Sequence, residues 1–456
     1  MAAITARPPS RLQTLAYGTG SLAAGLYYSF NNFVLGPYLR LYTQNNILIG
    51  WLTSTRSFEQ SIVQPAVGAW SDRTWTRFGR RAPFFLIGMS LAALLLLING
   101  LMPVHPGLLV PVVILIFLFS LAFNFGIDPY VALLADTVPS EHRGRVNGIA
   151  QVLGAVGSLA ILIAAFALFE THRAWLFIGV GAALVIGFTI VALFVREPRE
   201  IVAAGRISRH TLLEMFVKSP GRTFRIFLSY LGDLWEQERE AVKLLFVRFT
   251  YQFGLNAAIP FIVFFVQDEI GTNGLPELAA AFPALGLLGV DRWSAEQVAF
   301  LIGGDFILMT GFWTVACGHL ADRIGKKPVF AFGLVVLGVS GLFAAFATSI
   351  PQLLFYLVFL GFGNAAQTVL FFPYLSDLIP AWRAGEFQGL SAMSETGGYF
   401  FSILLAGELL NLNLFDLGYR LVFIITGTFV LLAAIAALFV KSKVRVRTAE
   451  ATASAR

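Results

Sequence analysis

Gly68-Ala69-Trp70-Ser71-Asp72-Arg73, followed by Gly79-Arg80-Arg81-Ala82-Pro83, returns later in the chain as Gly318-His319-Leu320-Ala321-Asp322-Arg323, followed by Gly325-Lys326-Lys327-Pro328. The first copy carries four extra residues between its Arg and its next Gly. A second pair agrees better: Ala135-Asp136-Thr137-Val138-Pro139 with Gly144 and Gly148 returns as Ser376-Asp377-Leu378-Ile379-Pro380 with Gly385 and Gly389. Repetition on this scale marks a duplicated architecture. Copies that run in the same direction predict two helical bundles related by an axis along the membrane normal.

A membrane is implied by composition. The 456 residues are 57% hydrophobic and only 13% charged, about half the charge of an ordinary soluble domain. That excludes a soluble enzyme and a disordered chain. A crossing helix needs about 20 apolar residues, and twelve such stretches are present: 12–39, 47–70, 83–102, 108–134, 147–169, 174–195, 244–266, 295–319, 328–347, 352–375, 387–410 and 420–440. Alternation at period two is absent, so strands are no rival. The fold class predicted is an all-α polytopic membrane protein with twelve transmembrane helices in two pseudo-symmetric six-helix bundles.

Twenty-six of the 32 Lys and Arg fall in one set of loops and tails, and four (Arg40, Arg173, Arg292 and Arg420) in the other. The positive-inside rule then puts both termini in the cytoplasm and makes the net charge of +6 a topology signal. No nucleic-acid partner is expected. The division predicted is a cytoplasmic N-terminus over 1–11, a first bundle over 12–195, a cytoplasmic linker over 196–243, a second bundle over 244–440 and a basic tail over 441–456. Within the linker, Leu212, Leu213, Phe216 and Val217 recur at helical spacing, which suits a helix lying on the membrane surface. No cleavable signal peptide is expected; the first span serves as its own insertion signal.

The repeated loop, G-x-x-x-D-R-x-G-[RK]-[RK] in its second copy, resembles the signature of the major facilitator superfamily. The longer string Val63-Gln64-Pro65-x-Val67-Gly68-x-x-Ser71-Asp72, continuing to Phe78-Gly79-Arg80-Arg81-x-Pro83-Phe84, resembles proton-coupled sucrose transporters and the wider glycoside–pentoside–hexuronide cation symporters. Leu133-Leu134-Ala135-Asp136 fits the sucrose group, and Leu15-Ala16-Tyr17-Gly18-x-Gly20 is similar to the melibiose branch. That branch carries two sodium-binding carboxylates in span 2, where this chain has Gln60 and Gln64. The resemblance therefore implies a proton rather than sodium as coupling ion, and no metal or other cofactor. The branch's sugar-gripping acid falls near Gly25. The resemblance also implies a gating role for Gly68, Asp72, Arg73, Gly79, Arg80, Arg81, Asp136 and Arg143, and for their counterparts Gly318, Asp322, Arg323, Lys326, Lys327, Asp377 and Arg383. Asp72 would latch on the start of span 11, and Asp322 on the start of span 5.

Ionisable groups deep in a span are expensive and default to function. Five qualify as proton-coupling candidates: Arg56 and Glu59 in span 2, Asp128 in span 4, Asp305 in span 8 and Glu395 in span 11. Arg56 and Glu59 share a helix face. They form either a self-neutralising structural pair or a switch in which Glu395 competes with Glu59 for Arg56. Asp128 precedes Pro129, which loosens the local helix, and is the first choice for the proton; the alternative is a carboxylate held by Asn124 or Arg56. Asp305 follows Gly303-Gly304 and reads either as a second titrating group or as a structural polar contact.

A sugar site needs amides, hydroxyls and aromatic faces. Candidates are Tyr28, Asn31, Asn32, Asn124, Asn256, Asn364 and Gln367, with Gln151 outlying; each reads equally as an interhelical hydrogen bond. Five His show no ligand spacing, Cys317 reads as a small apolar residue, and no Walker-type glycine loop appears. The reading is a secondary transporter of the cell membrane, a monomer in the lipid bilayer that carries a sugar or glycoside with protons by alternating access. The alternatives are a proton-coupled exporter of an amphiphile or drug, and a non-transporting receptor or assembly factor.

Overall fold

The structure is a computed structural model. It describes residues 9–53, 67, 70–71, 76–197, 232, 234–282, 289–379, 384–413 and 416–441. Arg56, Glu59, Gly68, Asp72, Arg73 and Arg383 lie outside the described residues, as do Gln60, Gln64 and the 208–218 stretch of the linker.

The described elements are helical, apart from one isolated bridge between Thr76 and Gly79. α1 (Arg11–Ser29) opens on a capping box in which Ser10 and Gln13 satisfy each other's backbone N–H. It continues through a π-helical turn, Phe30–Val34, into α2 (Leu35–Arg40). A short stretch, α3 (46–53), begins the second span. α4 (Ala82–Gly100), α5 (Leu109–Thr137), α6 (Ser140–His172) and α7 (Ala174–Phe194) follow. α8 (Arg239–Ala258) breaks at Pro260 into a 3-10 turn, resumes as α9 (Ile262–Phe265) and ends in a second π-helical turn, Val266–Ile270. Beyond the short α10 (Leu275–Ala281) come α11 (Ala295–Ile324), α12 (Lys326–Ala344), α13 (Ile350–Leu378), α14 (Ala384–Asn411) and α15 (Arg420–Leu438).

Among the described residues, nine helices are long and apolar enough to cross a membrane. α1 and α14 are helical over two further expected spans but fall short in apolarity; α14 carries Glu386, Glu395 and Glu408.

The packing repeats with the sequence. In the first half α1 lies on α6 and α7, and α4 on α5 and α7; in the second, α8 lies on α14 and α15, and α12 on α13 and α15. Gly25 faces the Gly154 carbonyl so closely that a Cβ would collide with it, which is what lets α1 and α6 meet at backbone distance. The repeated loop bends at the same place in both copies. Gly79 has φ +104° and Gly325 φ +94°, a region in which a Cβ clashes with the backbone.

The face that holds the loops next to the two ends of the described chain is called the terminal side: Pro9 and Ser10 line a pocket with Val138 and Arg196, and Lys243 and Glu240, at the start of α8, bond to the Phe439 carbonyl and the Lys441 amide. The opposite face is the far side.

Candidate functional site

The terminal-side loops form matching charge clusters. In the first half, Asp136 at the end of α5 takes Arg80 Nη2 at 2.7 Å and Arg81 Nε at 3.0 Å. Arg81 Nη1 also donates to Ser71 Oγ at 2.5 Å. The backbone N–H groups of Arg80 and Arg81, at the start of α4, donate to Glu197 at 3.2 and 2.7 Å. Burial raises the Glu197 carboxyl above its ordinary range; those two N–H bonds and Arg80 pull it down, and Asp136 pushes it up. In the second half Lys326 Nζ meets Asp377 at 2.7 Å. Arg143 Nε donates to the Val138 carbonyl at 2.9 Å.

Asp322 and Arg323 are exposed. Among the described residues Asp322 makes no ion pair. Lys327 donates to the Leu438 carbonyl at 3.4 Å.

Inside the second half, four helices bring polar groups together. Arg248 of α8 pairs with Glu395 of α14, and its guanidinium lies 4.1 Å from the Phe371 ring centroid and 5.4 Å from that of Phe372. One turn on, Tyr251 donates to Asn364 Oδ1 at 2.6 Å, and Asn364 Nδ2 donates to Thr310 Oγ1 at 3.2 Å. Glu395 is 11 residues into α14, about 16 Å along its axis. Its side chain is 48% exposed against 11% for Arg248, so the acid is the open member of the pair. Among the described residues its cation is Arg248; the expected competition with Glu59 for Arg56 falls outside the described residues. Arg248 itself is an arginine inside an apolar helix, which is the sequence signal that marks its position.

Several sugar-site candidates turn out to tie helices together. Asn31 Nδ2 donates to the Thr53 carbonyl at 2.8 Å and Gln367 Nε2 to the Phe330 carbonyl at 2.9 Å, both deeply buried. Asn256 spends its amide on Gln252, one turn back in its own helix. Asn32 receives a hydrogen bond from Tyr399 at 3.3 Å and so links α14 to the π-helical turn. Tyr28 stands edge-on to Phe123 at 5.5 Å. Asn124 is buried, and Asp128, one turn further along α5 and just before Pro129, is half-buried. Gln151 is exposed on α6. Asp305 stands apart from the Arg248–Glu395 cluster and lines an apolar groove between α6 and α11.

The halves are joined on the far side. Arg40 at the end of α2 pairs with Asp268 and lies over the Phe264 and Tyr419 rings at 4.7 and 5.7 Å. The Asn46 N–H donates to Asn411 Oδ1 at 2.9 Å, and Tyr419 OH donates to Asn46 Oδ1 at 2.9 Å. Ser294 Oγ donates to Glu170 at 2.5 Å, and Gln297 Nε2 to the Phe166 carbonyl at 3.3 Å. Among the described residues, no such contact joins the halves on the terminal side.

The family model of the Major Facilitator Superfamily matches residues 18–290 and 244–455. The chain belongs to the Major Facilitator Superfamily. It is an integral membrane protein with the all-helical fold of that superfamily. Solved structures agree: a nucleoside transporter, NupG, aligns at TM-score 0.68 and 13% identity over 94% of this chain and 99% of its own, and a D-xylose-proton symporter at TM-score 0.62 and 17% identity over 94% and 97%. At such identities the likeness is one of fold. Among curated relatives, the general alpha-glucoside permease of Schizosaccharomyces pombe is 25% identical over 46% of this chain and 39% of its own length. The sucrose transport protein SUC3 of Arabidopsis thaliana is 26% identical over 30% and 27%. Human monocarboxylate transporter 2 is 26% identical over 35% and 30%. The alignments thus span well under half the length of these relatives.

Proposed function

We propose that this superfamily member is a secondary active transporter that carries a sugar or glycoside together with protons by alternating access. Two bundles, 12–195 and 244–440, rock about a central site, with the termini in the cytoplasm of a cell whose surface membrane holds the protein as a monomer. The observation that carries the reading is the Arg248–Glu395 pair beside Tyr251 and Asn364. A carboxylate deep in a span that is held by one cation, yet half open, can exchange that cation for a proton. Releasing Arg248 from Glu395 leaves its five-donor guanidinium open to sugar hydroxyls, so proton and substrate binding share one element. The sugar-transporting relatives support the substrate class.

Asp128, on the first half, supplies a second carboxyl of the same kind. The far-side contacts through Arg40, Asn46 and Ser294 close one face, leaving the site facing the terminal side. Asp72, Arg73 and Arg383, with Asp322 and Arg323, are proposed to join the halves when that side shuts.

The test is uptake of labelled sucrose, maltose and related glycosides into proteoliposomes with and without an inward pH gradient. One sugar should accumulate above its outside concentration only with the gradient. Uptake of none of the panel, or uptake indifferent to the gradient, would exclude this function.

A further inference from the structure

A groove of about 420 Å³ opens on the outer wall of the molecule where α6 meets α11. Ile163, Trp293, Leu301, Leu308 and Leu354 are among the residues that line it. Ile163 is 62% exposed and Leu308 52%, so in an integral membrane protein this wall faces lipid. Asp305 is the charged group in it. It lies ten residues into α11, about 15 Å from the helix start. Among the described residues no cation and no hydrogen-bond donor reaches its carboxyl. Gly303 and Gly304 lie against the Phe33 ring and Leu159, which brings the neighbouring helices close beside the acid.

A carboxylate at this depth with no partner costs several kcal/mol. The lipid chains that otherwise fill the groove cannot offset that. We infer that the groove is a lateral site for a lipophilic amine, whose ammonium meets Asp305 while its hydrocarbon lies between Ile163 and Leu308. A positive charge is the feature that compensates the acid. A neutral alcohol would leave an ionised carboxyl uncompensated, and a bare alkane would leave it unpartnered altogether. This site is separate from the Arg248–Glu395 cluster and is reached from the bilayer rather than from water. It sits on the α6–α11 seam that joins the halves, so an occupant would bear directly on their closure.

The experiment uses the full-length protein in lipid nanodiscs and dicyclohexylcarbodiimide, a reagent that reaches carboxyls from lipid. The acid adds across one C=N bond, its oxygen bonding to carbon and its proton passing to nitrogen. Peptide mass spectrometry should find Asp305 labelled. Dodecylamine should slow that labelling at least tenfold, and dodecane should not. Dodecylamine should also raise the melting temperature of the wild type but not of Asp305→Asn. Ile163→Trp, which fills the groove and keeps the acid, should abolish the amine's protection even if Asp305→Asn does not fold. No labelling of Asp305, equal protection by dodecane, or a melting shift that survives in Asp305→Asn would each overturn the proposal.

Discussion

Lys326 Nζ lies 2.7 Å from the Asp377 carboxylate. Arg80 Nη2 lies 2.7 Å from Asp136, at the positions that the sequence repeat makes equivalent. One contact has thus been kept in both copies of a duplicated loop, while its surroundings have diverged. The first copy is enclosed by Arg81, Ser71 and Glu197; the second is open, with side chains 37% and 51% exposed.

That difference in burial sets the sizes of two effects. Asp136→Asn strips a carboxylate from two largely buried guanidinium groups and should destabilise the protein by roughly 3 kcal/mol. Asp377→Asn breaks an exposed pair and should cost about 0–1 kcal/mol. Thermal melts of the two variants in the same detergent should rank them in that order.

Gly79 and Gly325 hold positive φ at the same bend. Replacing either by Ala should cost about 1–2 kcal/mol. At Gly79 the new Cβ would also crowd Glu197, whose carboxyl oxygen lies 3.0 Å from that position. Gly79→Ala should therefore lower the melting temperature more than Gly325→Ala does.

Glu197 gives a pH signature of known sign. Its folded carboxyl is raised above the ordinary value by burial, so proton binding favours the folded state. The stability this supplies is complete below the unfolded pKa and is lost as pH rises through the folded one. Glu197→Gln cannot ionise. Its melting temperature relative to wild type should therefore climb as pH rises above the ordinary glutamate range; a flat or falling difference would contradict the assignment.

Arg248 and Glu395 should divide coupling from binding. Glu395→Gln should abolish pH-driven accumulation while sparing exchange of labelled for unlabelled sugar across the membrane. Arg248→Met should impair both, because the guanidinium is proposed to touch substrate. Counterflow and gradient-driven uptake, measured side by side, separate the two outcomes.

Much of the architecture was legible because it rests on local signals. The apolar runs are long, the bend glycines recur, and Asp136 and Asp377 stand at fixed distances from their loops. The site was less legible, because the use of an amide depends on what faces it across the helix boundary. Asn31 and Gln367 look like ligands in sequence, and each also donates its amide N–H to a neighbouring backbone carbonyl. The Arg248–Glu395 pair joins residues 147 positions apart on helices that touch only after folding. Asp305 has the depth of a coupling residue, but only the rotation of α11 decides which way it turns, and it lines the lipid-side groove rather than the cluster. The far-side closure through Arg40 and Asp268 carried no recognisable motif at all.

The most direct test is the pH inside sealed proteoliposomes, read with a trapped dye while a sugar taken up by the protein is added outside. Coupled symport predicts acidification of the interior on sugar addition, absent in Glu395→Gln and abolished by a protonophore. Sugar entry with no change of internal pH, or alkalinisation, would contradict it.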